Sequence, residues 1–126
     1  MIKLTLRELD AANRTGAFRA FIAAKKPIAA KVANRKLPAA FDDEVAKLDQ
    51  SRRELAIEYG GVPNKATQIF EFSPENQARM AAAMATLMDQ VIELPGEAVK
   101  LDDITDCEAN EAQIGALDPF IIFPQG

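Results

Sequence analysis

Apolar positions along the chain fall first into short helical pieces, then into one long stripe, then into strand-like runs. Thr5-Leu6-Arg7-Glu8 has the form of a capping box, with Leu4 before it and Leu9 after it as a hydrophobic staple. It predicts a helix starting at Leu6, with Arg7 and Arg14 two turns apart on one face. Thr15-Gly16 breaks this pattern, and Phe18, Phe21 and Ile22 either continue the helix or begin a second piece. Pro27 favours a fresh start, because proline fits the first turn of a helix and not its interior. Ala29, Ala30, Val32 and Ala33 then fill a short segment carrying Lys31 and Arg35 one turn apart.

The longest periodic stretch follows Pro38. Phe41, Val45, Leu48, Leu55 and Tyr59 recur at heptad-like spacing and make one apolar stripe. Asp42, Asp43 and Glu44 are expected in the first turn of this helix and Arg52 and Arg53 nearer its end, as the helix dipole favours. Gly60-Gly61 and Pro63 close it. Residues 1–61 therefore read as a helical hairpin.

Residues 62–126 read as a strand–helix–hairpin–helix unit of the same single domain, 1–126. Thr67 to Phe72 is a strand candidate, rich in β-branched and aromatic types. Ser73-Pro74 supplies an N-cap and a first-turn proline for a helix with Met80, Met84, Leu87, Met88 and Val91 on one side. Val91 to Leu94 and Ala98 to Leu101, extending towards Ile104, are expected to pair as a hairpin through a type II turn at Pro95-Gly96. Thr105-Asp106-Cys107-Glu108 offers a second capping box, and Ile114, Leu117, Phe120 and Ile121 would anchor a last short helix. The expected fold is α+β and mostly helical, with a small three-stranded antiparallel-type sheet packed on a helix. Pro119 and Pro124 bracket the apolar tail Phe120-Ile121-Ile122-Phe123, which either docks on the domain or belongs to a partner interface; Phe120, Ile121 and Phe123 are its candidate contacts.

Composition narrows the chemistry. The chain has 126 residues, 48% apolar and 27% charged, with no histidine, no tryptophan and Cys107 as its one cysteine. Histidine-based triads, zinc sites built on histidine or several cysteines, and an intramolecular disulfide are all excluded. No apolar run approaches the ~18 residues of a membrane span, and the start lacks a signal-peptide core, so a cytoplasmic protein with no membrane association is expected. Cys107 sits between Asp106 and Glu108, neighbours that disfavour a thiolate, and reads as a packing residue.

Charge changes the picture most. Residues 1–36 carry nine basic side chains against two acids, a net +7, whereas residues 37–126 are net −11. Residues 89–118 alone hold nine acids and one base. Such asymmetry bears on partners and association rates rather than on fold. The two ends either face each other, within the chain or across a homo-oligomer contact, or meet a foreign surface of opposite charge. Candidate acidic contacts are Asp89, Glu93, Glu97, Asp102, Asp103, Asp106 and Glu108. Candidate basic contacts are Arg7, Arg14, Lys25, Lys26, Lys31 and Arg35. Nucleic acid is not favoured, because Phe18 and Phe21 read as core rather than as stacking platforms. Asp102, Asp103, Asp106 and Glu108 could hold a hard cation, yet their spacing is not that of an EF-hand loop, and a solvated acidic edge accounts for them. No cofactor and no metal are expected. An enzyme would need carboxylates plus a metal, or lysine and Tyr59 acting without histidine.

Several of these stretches together resemble a family of short phage-encoded proteins of unknown function. They are Leu4-Thr5-Leu6-Arg7-Glu8-Leu9, the helix end Glu58-Tyr59-Gly60, Val91 to Leu94 with Val99-Lys100-Leu101, and the close from Ala112 through Leu117-Asp118-Pro119-Phe120-Ile121. The resemblance implies a phage or prophage product acting inside a bacterial cell, or in the virion, and carries over no catalytic residue. The function expected alongside it, argued from the charge asymmetry, is that of a non-enzymatic binding protein that modulates, and in this reading inhibits, a host complex such as a defence or nucleic-acid-handling machine through its acidic face. The alternative is an assembly component that self-associates through its basic and acidic parts.

Overall fold

In a computed structural model, the structure describes residues 1–60, 73–105 and 107–123, together with the backbone of 62–63 and 70–71. The chain is mostly helical with a few short strand pairs, consistent with an α+β fold. It opens with β1 (Ile2–Thr5), then α1 (Leu6–Arg14), α2 (Ala17–Ala23), α3 (Ile28–Ala33) and α4 (Leu37–Glu58). Two short strands, β2 (Val62–Pro63) and β3 (Phe70–Glu71), precede α5 (Pro74–Met88). β4 (Val91–Leu94), β5 (Val99–Lys100), a 3-10 turn at Leu101–Asp103, α6 (Glu111–Ala116) and β6 (Ile121–Ile122) complete the described elements.

The start of α1 follows from its sequence. Thr5 Oγ1 accepts from the Glu8 amide at 3.1 Å, and Glu8 Oε1 accepts from the Thr5 amide at 2.9 Å. Two of the helix's unpaired N–H groups are thereby satisfied. Gly16, at φ 77°, separates α1 from α2. Ser73 caps α5 as its sequence predicts. The end of α4 also conforms, with Tyr59 at the C-cap and Gly60 at φ 76° beyond it.

Four expectations are corrected. β1 was not anticipated as a strand: Ile2 and Leu4 are buried while Lys3 is exposed, and this alternation pairs antiparallel with β4, Ile2 opposite Leu94 and Leu4 opposite Ile92. β4 therefore does not form a hairpin with β5. After β4 the chain is held by Asn34. Its Oδ1 accepts from the Glu97 amide at 2.8 Å, just after Gly96 at φ 145°. β5 instead pairs in parallel with β6, Val99 opposite Ile121. The described strands thus form three two-stranded sheets rather than one of three strands.

The second correction concerns α4, which starts at Leu37 with Pro38 in its first turn, so Asp42, Asp43 and Glu44 lie one turn further in. Third, Thr105 is no helix cap. Its N–H and C=O exchange 2.9 Å hydrogen bonds with Lys25, and the capping box belongs to Asn110 and Gln113. Fourth, α6 ends at Ala116 ahead of Pro119, which leaves Phe120 and Ile121 outside the helix. Val91 likewise lies in β4, exposed, rather than on the stripe of α5. The strand expected at Thr67 to Phe72 falls mostly outside the described residues; Phe70–Glu71 pairs antiparallel with Val62–Pro63.

The core draws on both ends of the chain, from Ile2, Leu4, Leu9 and Phe18 through Leu37, Phe41 and Leu48 to Leu94, Val99, Leu117 and Phe120. Phe18 and Phe41 stack face to face, with ring centroids 3.7 Å apart and planes 1° from parallel. Phe120 packs against this pair edge-on, 5.3 Å from Phe18 and 6.2 Å from Phe41, and lies 5.6 Å from Phe21. Edge-to-face arrangements of this kind satisfy the ring quadrupoles. Phe120 and Ile121 are buried, so the tail docks on the chain's own core at these two positions. Phe123 packs half-buried against the same core, and Ile122 remains 52% exposed.

Candidate functional site: charge ladder and acid-rimmed cleft

The pairing of β1 with β4 sets the first group of charges face to face. The N-terminal amine meets Glu97 at 3.3 Å, Lys3 meets Glu93 at 3.7 Å, and Arg7 bonds Asp89. Three of the acidic candidates and two of the basic region's cations are thus engaged within the chain. All these pairs are solvent-exposed, so each contributes little to stability but biases the register in which β1 and β4 meet.

A second group sits under α1. Asp10 receives Arg14 at 3.0 Å and Arg52 at 3.0 Å, and Arg52 also reaches Asp49 at 3.6 Å. Arg52 occupies the gap between Leu48 and Leu55 in the apolar stripe of α4, where its half-buried guanidinium ties α4 to α1 and touches the Met88 sulfur on α5 at 3.8 Å. Neither Asp10 nor Arg52 was singled out as a candidate. The signal was the six-residue interruption of the stripe between Leu48 and Leu55, with an arginine near its middle.

Lys26 is turned back on its own chain. Its Nζ donates to the carbonyls of Ala24 at 2.8 Å and Ile22 at 3.4 Å, and lies 4.7 Å from the centre of the Phe21 ring. It thereby serves the unpaired carbonyls at the end of α2. Burial holds its pKa below the ordinary lysine value. The like charge of Lys31 acts in the same direction, while Cys107 opposes it. Lys25 is bound into the bridge to Thr105 through its backbone. Lys31 and Arg35 project from α3 and its end, both exposed.

The remaining acids have a different setting. Leu101, Ile104, Cys107, Ala109, Ile114, Leu117, Ile121 and Phe123 line a cleft of about 450 Å³ without one charged side chain. Asp102, Asp103, Glu108 and Glu111 alternate with these lining residues along the chain and are exposed. Asp106, in the same run, lies outside the described residues. Among the described residues Asp102, Asp103 and Glu108 form no ion pair with any described cation. Ile114 and Leu101 are exposed at the mouth, at 48% and 38%. Cys107 is half-buried in the wall, its thiol 3.9 Å from the Ala20 carbonyl. Such a cleft can seat an apolar side chain, and the exposed acids adjacent in sequence to its lining residues make this stretch of surface anionic.

Among the described residues no group of histidine, cysteine or carboxylate side chains is arranged to hold a metal, and no helix is long and apolar enough to cross a membrane. No family model matches the chain, and no curated protein or solved structure shows significant similarity to it.

Proposed function

We propose that the protein is a non-enzymatic, phage-type binding protein whose acid-rimmed cleft docks a segment of a larger host complex and thereby modulates, in the simplest case inhibits, that complex. The cleft carries this reading: an apolar floor whose lining residues are adjacent in sequence to the exposed acids Asp102, Asp103 and Glu108 suits an apolar anchor with lysine or arginine beside it. Asp89, Glu93 and Glu97 are paired with Arg7, Lys3 and the N-terminal amine, so the reading narrows the partner surface from the whole stretch 89–118 to the part beyond residue 100. A basic groove of a defence or nucleic-acid-handling machine in a bacterial cytoplasm has the required chemistry. Affinity capture from bacterial lysate, followed by identification of the captured complex, tests it. Ile114→Asp, which places a charge at the mouth, should lose a complex that the wild type retains.

A second reading is favoured by one observation. α3 exposes Ile28 and Val32 on one face, at 78% and 53%, beside Lys31 and Arg35. That is an apolar anchor with cations on this same chain, and it suits a virion or assembly component that self-associates. Light scattering at ~50 mM and ~500 mM salt decides between the two, because the Debye length shrinks from about 14 Å to about 4 Å. An oligomer that dissociates at the higher salt supports assembly, and a monomer at both supports a foreign partner.

A further inference from the structure

The N-terminus of α4, the longest helix, has no side-chain cap. Lys36 holds the N-cap position, no acid lies in the first turn, and Pro38 stands at its start. Leu37 N–H donates to the Asn34 carbonyl at 3.1 Å, Ala40 N–H to the Lys36 carbonyl at 3.2 Å, and Pro38 has no N–H, so what this end offers an anion is the helix dipole without a nearby acid rather than a set of free donors. Beside it, between α2, α3 and α4, lies a cavity of about 150 Å³ lined in part by Lys26, Lys31, Asn34, Arg35 and Pro38, with no acidic residue in its wall.

Asn34 supplies an independent observation. It is 6% exposed, and its Oδ1 is fixed by the Glu97 amide, which settles the orientation of the side-chain amide. Among the described residues its Nδ2 is buried without a hydrogen-bond partner. A buried donor left unpaired is costly and points to a ligand or ordered group in the native site. Asn34 also borders a second cavity, but that one carries Glu97 and Asp103, whose carboxylates repel an anion.

We infer that the acid-free cavity binds one phosphate group, free or as the monoester of a small molecule, held by Lys31, Arg35 and the Asn34 amide at the start of α4. Arginine suits bidentate contact with phosphate oxygens, lysine adds a point charge, and a helix N-terminus favours the anion. Lys26 adds charge only, its ammonium being committed to the Ala24 and Ile22 carbonyls. Lys31 and Arg35 are exposed, which leaves room in solvent for an ester substituent. The inference does not rest on a foreign partner in the acidic cleft, whereas self-association through α3 would compete for the same Lys31 and Arg35.

The test is a thermal melt of the full chain against inorganic phosphate and, separately, adenosine monophosphate, each beside sodium chloride at matched ionic strength. Ligand binding to the native state raises the melting point by mass action. The expected result is a saturable rise beyond the chloride control. Saturation at a lower concentration of adenosine monophosphate assigns a monoester, and saturation at a lower concentration of inorganic phosphate assigns the free anion. Lys31→Gln and Arg35→Gln, both at exposed positions, should each weaken the apparent affinity roughly 10-fold, the value of one charge-assisted hydrogen bond. Asn34→Asp keeps the acceptor for the Glu97 amide and replaces the donor with a charge, and should abolish the rise. In the wild type, the Asn34 side-chain amide resonances should shift on phosphate addition. Phosphate acting no differently from chloride, or unchanged affinity in both Lys31→Gln and Arg35→Gln, would overturn the inference.

Discussion

Replacing Phe120 by alanine tests whether the C-terminal tail is core. The ring is fully buried and contacts Phe18, Phe21 and Phe41 at centroid distances of 5.3, 5.6 and 6.2 Å. Removing a buried phenylalanine costs about 3–5 kcal/mol through lost transfer energy and the cavity left behind. The edge-on contacts with Phe18 and Phe41 place Phe120→Ala towards the upper part of that range, since such pairs add roughly 0.5–1.5 kcal/mol each. Against a total stability of about 5–15 kcal/mol, the loss is a large fraction. Ile122, next but one along the same tail and 52% exposed, serves as the control, and Ile122→Ala should stay within about 0.5 kcal/mol. Urea unfolding followed by far-UV circular dichroism reads both, at unchanged slope with denaturant. A cost below about 1 kcal/mol for Phe120→Ala, or an equal cost for Ile122→Ala, would refute the docking of the tail.

Further outcomes are expected elsewhere. Gly96→Ala forces a side chain onto φ 145° and places a methyl group 2.4 Å from Asn34 Oδ1, so it should destabilise by about 1–3 kcal/mol in the same urea assay. Thr5→Ala removes the cap of α1 and should cost about 1 kcal/mol. In a double-mutant cycle on Lys3 and Glu93, both substantially exposed, the coupling should be no more than about 1 kcal/mol and should fade at high salt. Lys26 has a folded-state pKa below its unfolded one, so the unfolded chain binds more protons between the two values. Its charged form therefore opposes folding at neutral pH, and that opposition disappears as pH rises from the lowered value through 10.5. The stability of wild type relative to Lys26→Met should accordingly rise with pH over that window; a flat or falling difference would contradict the burial of this amine.

Much of the helical part was legible, because its signals are local. The Thr5/Glu8 box, the break at Gly16, the stripe from Phe41 to Leu55 and the Ser73-Pro74 start all act within one or two turns. The sheet was not legible for the opposite reason. Val91 to Leu94 has two partners compatible with its alternation, the neighbouring Val99 run and the distant Ile2 to Leu4. The distant partner wins, and after β4 the Glu97 amide is held by Asn34, 63 residues away, contacts that no local pattern announces. Thr105 likewise carries the sequence of a cap, but Lys25 takes both of its backbone groups. For the candidate site, the charge asymmetry was visible, whereas its division was not. Only the β1–β4 register separates Asp89, Glu93 and Glu97, each facing a cation, from Asp102, Asp103 and Glu108 beside an apolar cleft.

That division can be measured directly by affinity capture from bacterial lysate with three forms of the protein side by side. The forms are the wild type, the rim variant Asp102→Lys/Asp103→Lys/Glu108→Lys, and the ladder variant Asp89→Lys/Glu93→Lys, each checked for native circular dichroism. The account predicts that wild type and ladder variant retain the same complex and the rim variant loses it. Retention by the rim variant, or loss confined to the ladder variant, would contradict the assignment of the partner surface to the cleft.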